Sequence, residues 1–184
     1  MCWQQSDEFI KKEPGKGNRT IQPDCMNRLF SKMLTAGFVV GTFDILSAFI
    51  HYFIKTGQTH FSDVLRFVAS GYFGTAAFSG GRSMILAGII IHYLIAFAFT
   101  VFFFLLFPKI KTFSKNKILT GILYGIFVWV AMNIIVLPFS NIAYRPFHIS
   151  NALINVIILI VCVGIPLSFM ADSFYNKTQR HISV

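Results

Sequence analysis

The chain has 184 residues, of which 55% are hydrophobic and 12% charged, and its mean hydropathy is +0.65. That leaves too little polar surface to cover a water-soluble globule, which argues against an ordinary soluble enzyme or binding domain. The net charge of +9 sits in clusters beside long apolar runs, so its matching partner is the anionic face of a lipid bilayer and not a nucleic acid.

Residues 1–32 carry Lys11, Lys12, Lys16, Arg19, Arg28 and Lys32, together with Pro14, Gly15, Gly17 and Pro23, and show no sustained apolar period. They read as a mobile basic tail that ends, at most, in a short amphipathic helix. The first apolar run follows this tail and is long enough to span, which marks it as a signal anchor and not a cleaved leader. Cys2, Cys25 and Cys162 form no CxxC or metal-ligand spacing, so they read as unpaired thiols.

A helix that crosses a bilayer needs about 20 mainly apolar residues. Four stretches meet this, at 33–54, 83–107, 118–138 and 152–170. Backbone groups in hydrocarbon must be satisfied within their own segment, so all four are helices. The fold class is all-α, a four-transmembrane-helix bundle over 33–175 followed by a short tail at 176–184. The loop between the first two spans is too long for a turn. Within it, Ser62 and Asp63 can cap a helix whose apolar positions Val64, Leu65, Val68, Tyr72 and Phe73 recur at helical spacing, which predicts an interfacial or lid helix over 62–77. Gly80, Gly81, Arg82 and Ser83 then enter the second span, where free amides and a cation can hold an anion, or simply form a flexible turn.

Lys and Arg set the orientation. The tail, the loop of Lys109, Lys111, Lys115 and Lys117, and the C-terminal Lys177 and Arg180 place twelve on one side, against Lys55, Arg66, Arg82 and Arg145 on the other. Both ends are therefore expected in the cytoplasm.

The first span contains Gly37-Phe38-Val39-Val40-Gly41-Thr42-Phe43 and the third Gly121-Ile122-Leu123-Tyr124-Gly125-Ile126-Phe127, both GxxxGxF. A parallel duplication of a two-helix unit accounts for this, and so does the frequent use of glycine in membrane helices. Gly37, Gly41, Gly121 and Gly125 read as helix-packing positions, because small residues let backbones approach. Continuing by helical steps from Gly37 and Gly41 gives Asp44, Ala48 and His51 on the same face. A carboxylate in mid-span needs a partner, water or a proton. His92 lies at matching depth in the second span, roughly 13 Å from its outer end against roughly 15 Å for Asp44. The ridge Gly88, His92, Ala96 and Thr100 offers the facing surface. His51, Asn133 and Asn155 add polar groups in the same outer half, and His60 and His148 in outer loops. These residues define a candidate intramembrane polar site; an interfacial or solvated position also explains His51, His60 and His148, and helix–helix hydrogen bonds the asparagines, whereas Asp44 with His92 points to function. Pro166, after Gly164, predicts a kink in the fourth span. No HxxxH, HxxE or Cys/His ligand spacing lies inside a span, and there is no GxSxG, so no cofactor, metal or catalytic residue is assigned.

The GTFDILSAF run of the first span, the FSGGRSM entry to the second, its His92 and the Phe107-Pro108-Lys109-Ile110-Lys111 exit resemble small bacterial inner-membrane proteins, some of them linked to acid tolerance. The resemblance covers residues 34–175. It implies a four-helix fold in the bacterial inner membrane and a direction toward proton-linked chemistry, but supplies no catalytic residue or substrate. Three functions remain open on the sequence: transport of a small solute or ion through an outward cavity, acting alone or as a homo-oligomer; a scaffold that binds partner helices through its GxxxG faces; and a metal- or haem-binding membrane protein or enzyme.

Overall fold

Pro23 opens the first helix, α1 (Pro23–Thr56), at the position where its missing N–H costs nothing and its fixed φ is already helical. The structure, a computed structural model, describes residues 23–107, 116–142 and 149–180. The tail before Pro23, Lys109, Lys111, Lys115, Arg145, His148 and residues 181–184 lie outside the described residues. Helix begins at Pro23, ten residues before position 33 and within the stretch where the sequence allowed a short helix at the end of the tail, and it runs on into the first span because nothing between Pro23 and Met33 breaks it. With 34 residues, α1 is about 50 Å long. It stops at Gly57, which has φ 67° and donates its amide to the Phe53 carbonyl at 2.8 Å, a conformation that favours glycine.

The lid helix is shorter than the expected 62–77. It forms α2 (Phe61–Phe73), breaks at Gly74 with φ 61°, and is followed by the single turn α3 (Ala76–Ser79). Its N-cap is His60, without a side-chain cap bond. Asp63 does not cap it, because its carboxylate is engaged elsewhere: it accepts from the Tyr52 hydroxyl at 3.4 Å and lies 3.9 Å from Arg66. These contacts tie α2 to the end of α1. Leu65 and Ala69 are buried, and the Leu65 carbonyl occupies the space that a Cβ on Gly88 would need. Asn141 holds the other side of α2, donating its amide to the Gly71 carbonyl at 2.9 Å and its Nδ2 to the Tyr72 carbonyl at 2.8 Å.

The second long helix is α4 (Arg82–Leu106). Leu86, Ile90 and Leu94 are 59%, 59% and 69% exposed, one apolar stripe directed away from the protein. The third span is α5 (Lys117–Ala131) extended by a π-helical segment, Met132–Val136. The fourth is α6 (Ile149–Leu159), a second π segment, Ile160–Gly164, and α7 (Ile165–Arg180). Pro166 withdraws the N–H that an α-helix would offer the Cys162 carbonyl, and a widened turn lies at that point in place of regular helix. Among the described residues four helices, Leu29–Thr56, Arg82–Leu106, Lys117–Val136 and Ile149–Tyr175, are long and apolar enough to cross a membrane. They exceed the expected bounds by a few residues at most ends, because polar residues near the ends continue the helix.

Both glycine pairs are used inside the chain. A Cβ on Gly37 would strike the Phe97 ring, and one on Gly41 would lie 3.1 Å from Ala96 and Tyr93, so this pair seats α1 on α4. A Cβ on Gly121 would lie 2.8 Å from the Ile165 Cα, and one on Gly125 2.6 Å from the Ile160 Cα, so the second pair seats α5 on the fourth span. Gly164 answers from the other side, where an added Cβ would meet the Gly121 carbonyl.

The core lies at one end of the bundle. Met33, Ala36 and Val40 of α1, Phe103, Phe104 and Phe107 at the end of α4, Tyr124 and Val128 of α5, and Val163, Leu167 and Ala171 of the fourth span form one buried cluster. Tyr124 donates to the Phe99 carbonyl at 2.6 Å and Tyr175 to the Phe104 carbonyl at 2.8 Å, so each ring fills space while its hydroxyl bonds the neighbouring helix. Lys117 pairs with Asp172 at 2.6 Å, and Ser168 donates to the Lys117 carbonyl at 2.8 Å. Asp172 is 4% exposed. Asp172→Ala is expected to lower stability by about 1–3 kcal/mol, the buried-pair value discounted because Lys117 reaches solvent. A thermal melt in detergent measures it, and an unchanged midpoint would remove the pair from the account of how this end is held.

Candidate functional site

The hydroxyl side chains of the spans satisfy themselves locally. Thr35, Thr42 and Thr100 bond the carbonyls of Ser31, Phe38 and Ala96, and Ser47 bonds that of Asp44, at 2.7–2.9 Å. Such back-bonds let short polar groups sit in a hydrocarbon span. Asp44 has no comparable solution. Among the described residues its carboxylate makes no hydrogen bond and no ion pair within 4 Å, and it faces a cavity.

That cavity has a volume of about 790 Å³. It extends from Lys55 and Asn151 at one end of the bundle to Val40, Val163 and Leu167, where the packed core begins. Fifteen residues of helix separate Val40 from Lys55, a depth of roughly 22 Å. α2 supplies one wall through Val64, Phe67 and Val68, while Phe99 and Trp129 form others. At the mouth, Lys55 donates to Asn151 at 2.6 Å across the first and fourth spans.

Asp44, His51, His92, Asn133 and Asn155, which the sequence groups by depth and face, all line this one cavity. They come from all four spans. Asp44 and His92 do not bond each other directly. His92 Nε2 lies 2.9 Å from the Gly41 carbonyl. A carbonyl only accepts, so Nε2 carries a proton and the neutral ring keeps its lone pair on Nδ1. Gly41 thus has two roles, close contact with α4 and a carbonyl that orients His92. Asn133 donates from Nδ2 to the Trp129 carbonyl at 2.8 Å. His51 and Asn155 have no side-chain hydrogen bond among the described residues.

The other predicted positions are elsewhere. Gly80, Gly81, Arg82 and Ser83 form the turn into α4, with Gly81 as N-cap and no side-chain cap bond. The Gly80 amide is already given to the Ala76 carbonyl at 3.0 Å, and none of the four residues lines the chamber. Sequence reasoning did not find Lys55, Asn151, Tyr52 or Asp63 as a mouth, because their meeting depends on how α2 folds back. It did not find Trp129 as a wall either. Its placement one turn before Asn133 was the available signal. Among the described residues no three His, Cys, Asp or Glu side chains converge as a metal set. A second cleft of about 250 Å³ between α4 and α5 is bordered by Ala98, Phe102, Phe127, Ala131 and Ile135, and meets the chamber only at Phe99.

The fold is that of a multi-pass membrane protein: four long apolar helices with an apolar exterior and a polar chamber closed at one end. No family model, curated protein or solved structure matches the chain.

Proposed function

We propose that the chain is a multi-pass protein of a bacterial inner membrane, with both ends in the cytoplasm, whose chamber opens to the opposite side and moves a small solute coupled to protons at Asp44 and His92. The observation that carries this reading is an unpaired mid-span carboxylate facing a chamber of about 790 Å³, a size typical of small-molecule sites. Intramembrane ionisable groups mark pathways and proton relays. The twelve-to-four distribution of Lys and Arg supports the orientation. The sequence's resemblance to small inner-membrane proteins, some of them linked to acid tolerance, points the same way.

Transport requires the packed end to open. Val163 and Leu167 belong both to the chamber wall and to the core; Val163 lies within the π segment and Leu167 directly follows Pro166. Rocking of α7 about that widened turn would separate core from chamber at one place. The scaffold reading is weaker on the structure, because both GxxxG faces are covered by the chain's own helices.

The test fills the chamber without touching a charge. Ala48→Trp, on the chamber wall, is expected to remove the protein's effect on cytoplasmic pH during acid challenge, read with a ratiometric pH-sensitive fluorescent protein. If wild type and Ala48→Trp give the same pH trace as cells lacking the protein, the proton-linked reading fails. Orientation is tested by single-cysteine labelling: a thiol placed at Gln58 should react with an impermeant maleimide in intact spheroplasts, and labelling only after lysis would reverse the topology.

A further inference from the structure

The chamber's hydrogen-bonding groups are unequally committed at depth. Around Asp44 the donors are largely spent on the chain's own carbonyls: His92 Nε2–H on Gly41, the Thr100 hydroxyl on Ala96, and one N–H of Asn133 on Trp129. What these groups have left is mainly acceptor capacity: the Asp44 carboxylate, His92 Nδ1, the Thr100 oxygen and Asn133 Oδ1. The uncommitted donors of the chamber wall are the second Asn133 N–H, the Trp129 indole, the Asn155 amide and the His51 ring, all of them neutral or remote from Asp44 in sequence. The mouth is different, since Lys55 and the Nδ2 of Asn151 supply donors there.

A space with an unpaired carboxyl group at depth, acceptors beside it and walls of Trp129, Phe67 and Phe99 fits an organic cation that can donate. The carboxylate supplies charge and hydrogen bonds, and the ring faces attract the cation further. An organic anion would meet Asp44 with no compensating cation at depth. A bare metal ion would leave most of a chamber of about 790 Å³ unfilled. We infer that the chamber's ligand is a protonated organic amine, with its ammonium on Asp44 and its apolar body against Trp129 and Phe99. This inference rests on the chamber being a solute site and names the class of that solute.

Purified full-length protein in detergent at about pH 8, where an ordinary imidazole is neutral, is titrated with 2-phenylethylamine, 2-phenylethanol and phenylacetate. One skeleton thereby carries a positive, a neutral and a negative head. Binding is read by the melting temperature and by quenching of tryptophan fluorescence. The amine is expected to bind about tenfold or more tightly than the alcohol, the acetate not at all, and Asp44→Asn to remove the difference while Asp44→Glu keeps part of it. The trimethylammonium analogue, a cation with no N–H, is expected to bind more weakly than the amine. Equal binding of amine and alcohol, preference for phenylacetate, stabilisation by sodium chloride alone, or no binding by any member overturns the inference. The wild-type series decides even if an Asp44 variant fails to fold. Failure here is separable from failure of the proton-linked reading, because the cellular pH measurement uses no added amine.

Discussion

Asp44→Asn is expected to abolish the proton-linked effect on cytoplasmic pH while leaving the bundle inserted and at least as stable as wild type. Asparagine keeps the size of the side chain and cannot take up or release a proton. A mid-span aspartate costs roughly 2.5–3.5 kcal/mol on insertion scales. In this chain no hydrogen bond or ion pair among the described residues offsets it. A carboxylate kept for structure would have a partner, and losing it would lower the melting temperature. A carboxylate kept for function should lose activity with an unchanged or raised midpoint. The paired measurements are cellular pH under acid challenge and the thermal midpoint in detergent. Wild-type activity, or a clear loss of stability, would show that Asp44 serves the fold.

His92→Gln extends the same test. Its amide can still donate to the Gly41 carbonyl, so the contact seen at 2.9 Å has a replacement, but glutamine cannot take up a proton. Loss of the proton-linked effect is expected with the α1–α4 packing retained. His92→Ala removes the contact as well and leaves the Gly41 carbonyl without that donor, so it should be the less stable of the two.

Much of the architecture is legible because lipid imposes few solutions. Apolar length alone places four helices, and the polar residues that cannot face lipid define the inward faces. Asp44 and His92 fall at one level because antiparallel neighbours can be aligned by counting from a shared end. Their partners are less legible. The depth count brings the two together, yet the ring's bond goes to a backbone carbonyl one turn from Asp44, a contact that no side-chain pattern records. The helix α2 is signalled by its apolar spacing, but its docking depends on Gly88, whose missing Cβ admits the Leu65 carbonyl. Lys117 and Asp172 are visible as the flanks of two spans, and their pairing depends on how far α7 continues beyond the apolar run. The π segments have no local signature apart from Pro166, which bears only on the second.

The same chain is solid at one end and hollow at the other for a traceable reason. Toward Lys117, aromatic side chains and glycines alternate between facing helices, so Phe103 and Tyr124 fill the space with rings 4.4 Å apart. Toward Lys55, the inward positions are Asp44, Ala48, His51, Asn133 and Asn155, short or polar groups that do not meet across the axis. α2 covers part of the resulting gap and does not fill it.

The glycine positions give the second large effect, and their unequal surroundings make it specific. At Gly121 and Gly125 an added Cβ would lie 2.8 Å and 2.6 Å from backbone atoms of Ile165 and Ile160. Backbone of a packed helix can yield only if the whole helix moves. At Gly37 the obstacle is the Phe97 ring, a side chain and not backbone, and at Gly81 nothing lies within 4 Å. Replacing glycine by alanine in a helix gains up to about 1 kcal/mol in propensity, against an overpacking cost of about 1–3 kcal/mol. Gly121→Ala and Gly125→Ala are therefore expected to destabilise clearly, Gly37→Ala less, and Gly81→Ala hardly at all. Gly121→Leu should prevent the third and fourth spans from packing. Denaturant titration in mixed micelles gives the order. If Gly121→Leu instead leaves the monomer's stability intact and strips away a co-purifying membrane protein, the glycine face belongs to a partner and the scaffold reading replaces the transport one.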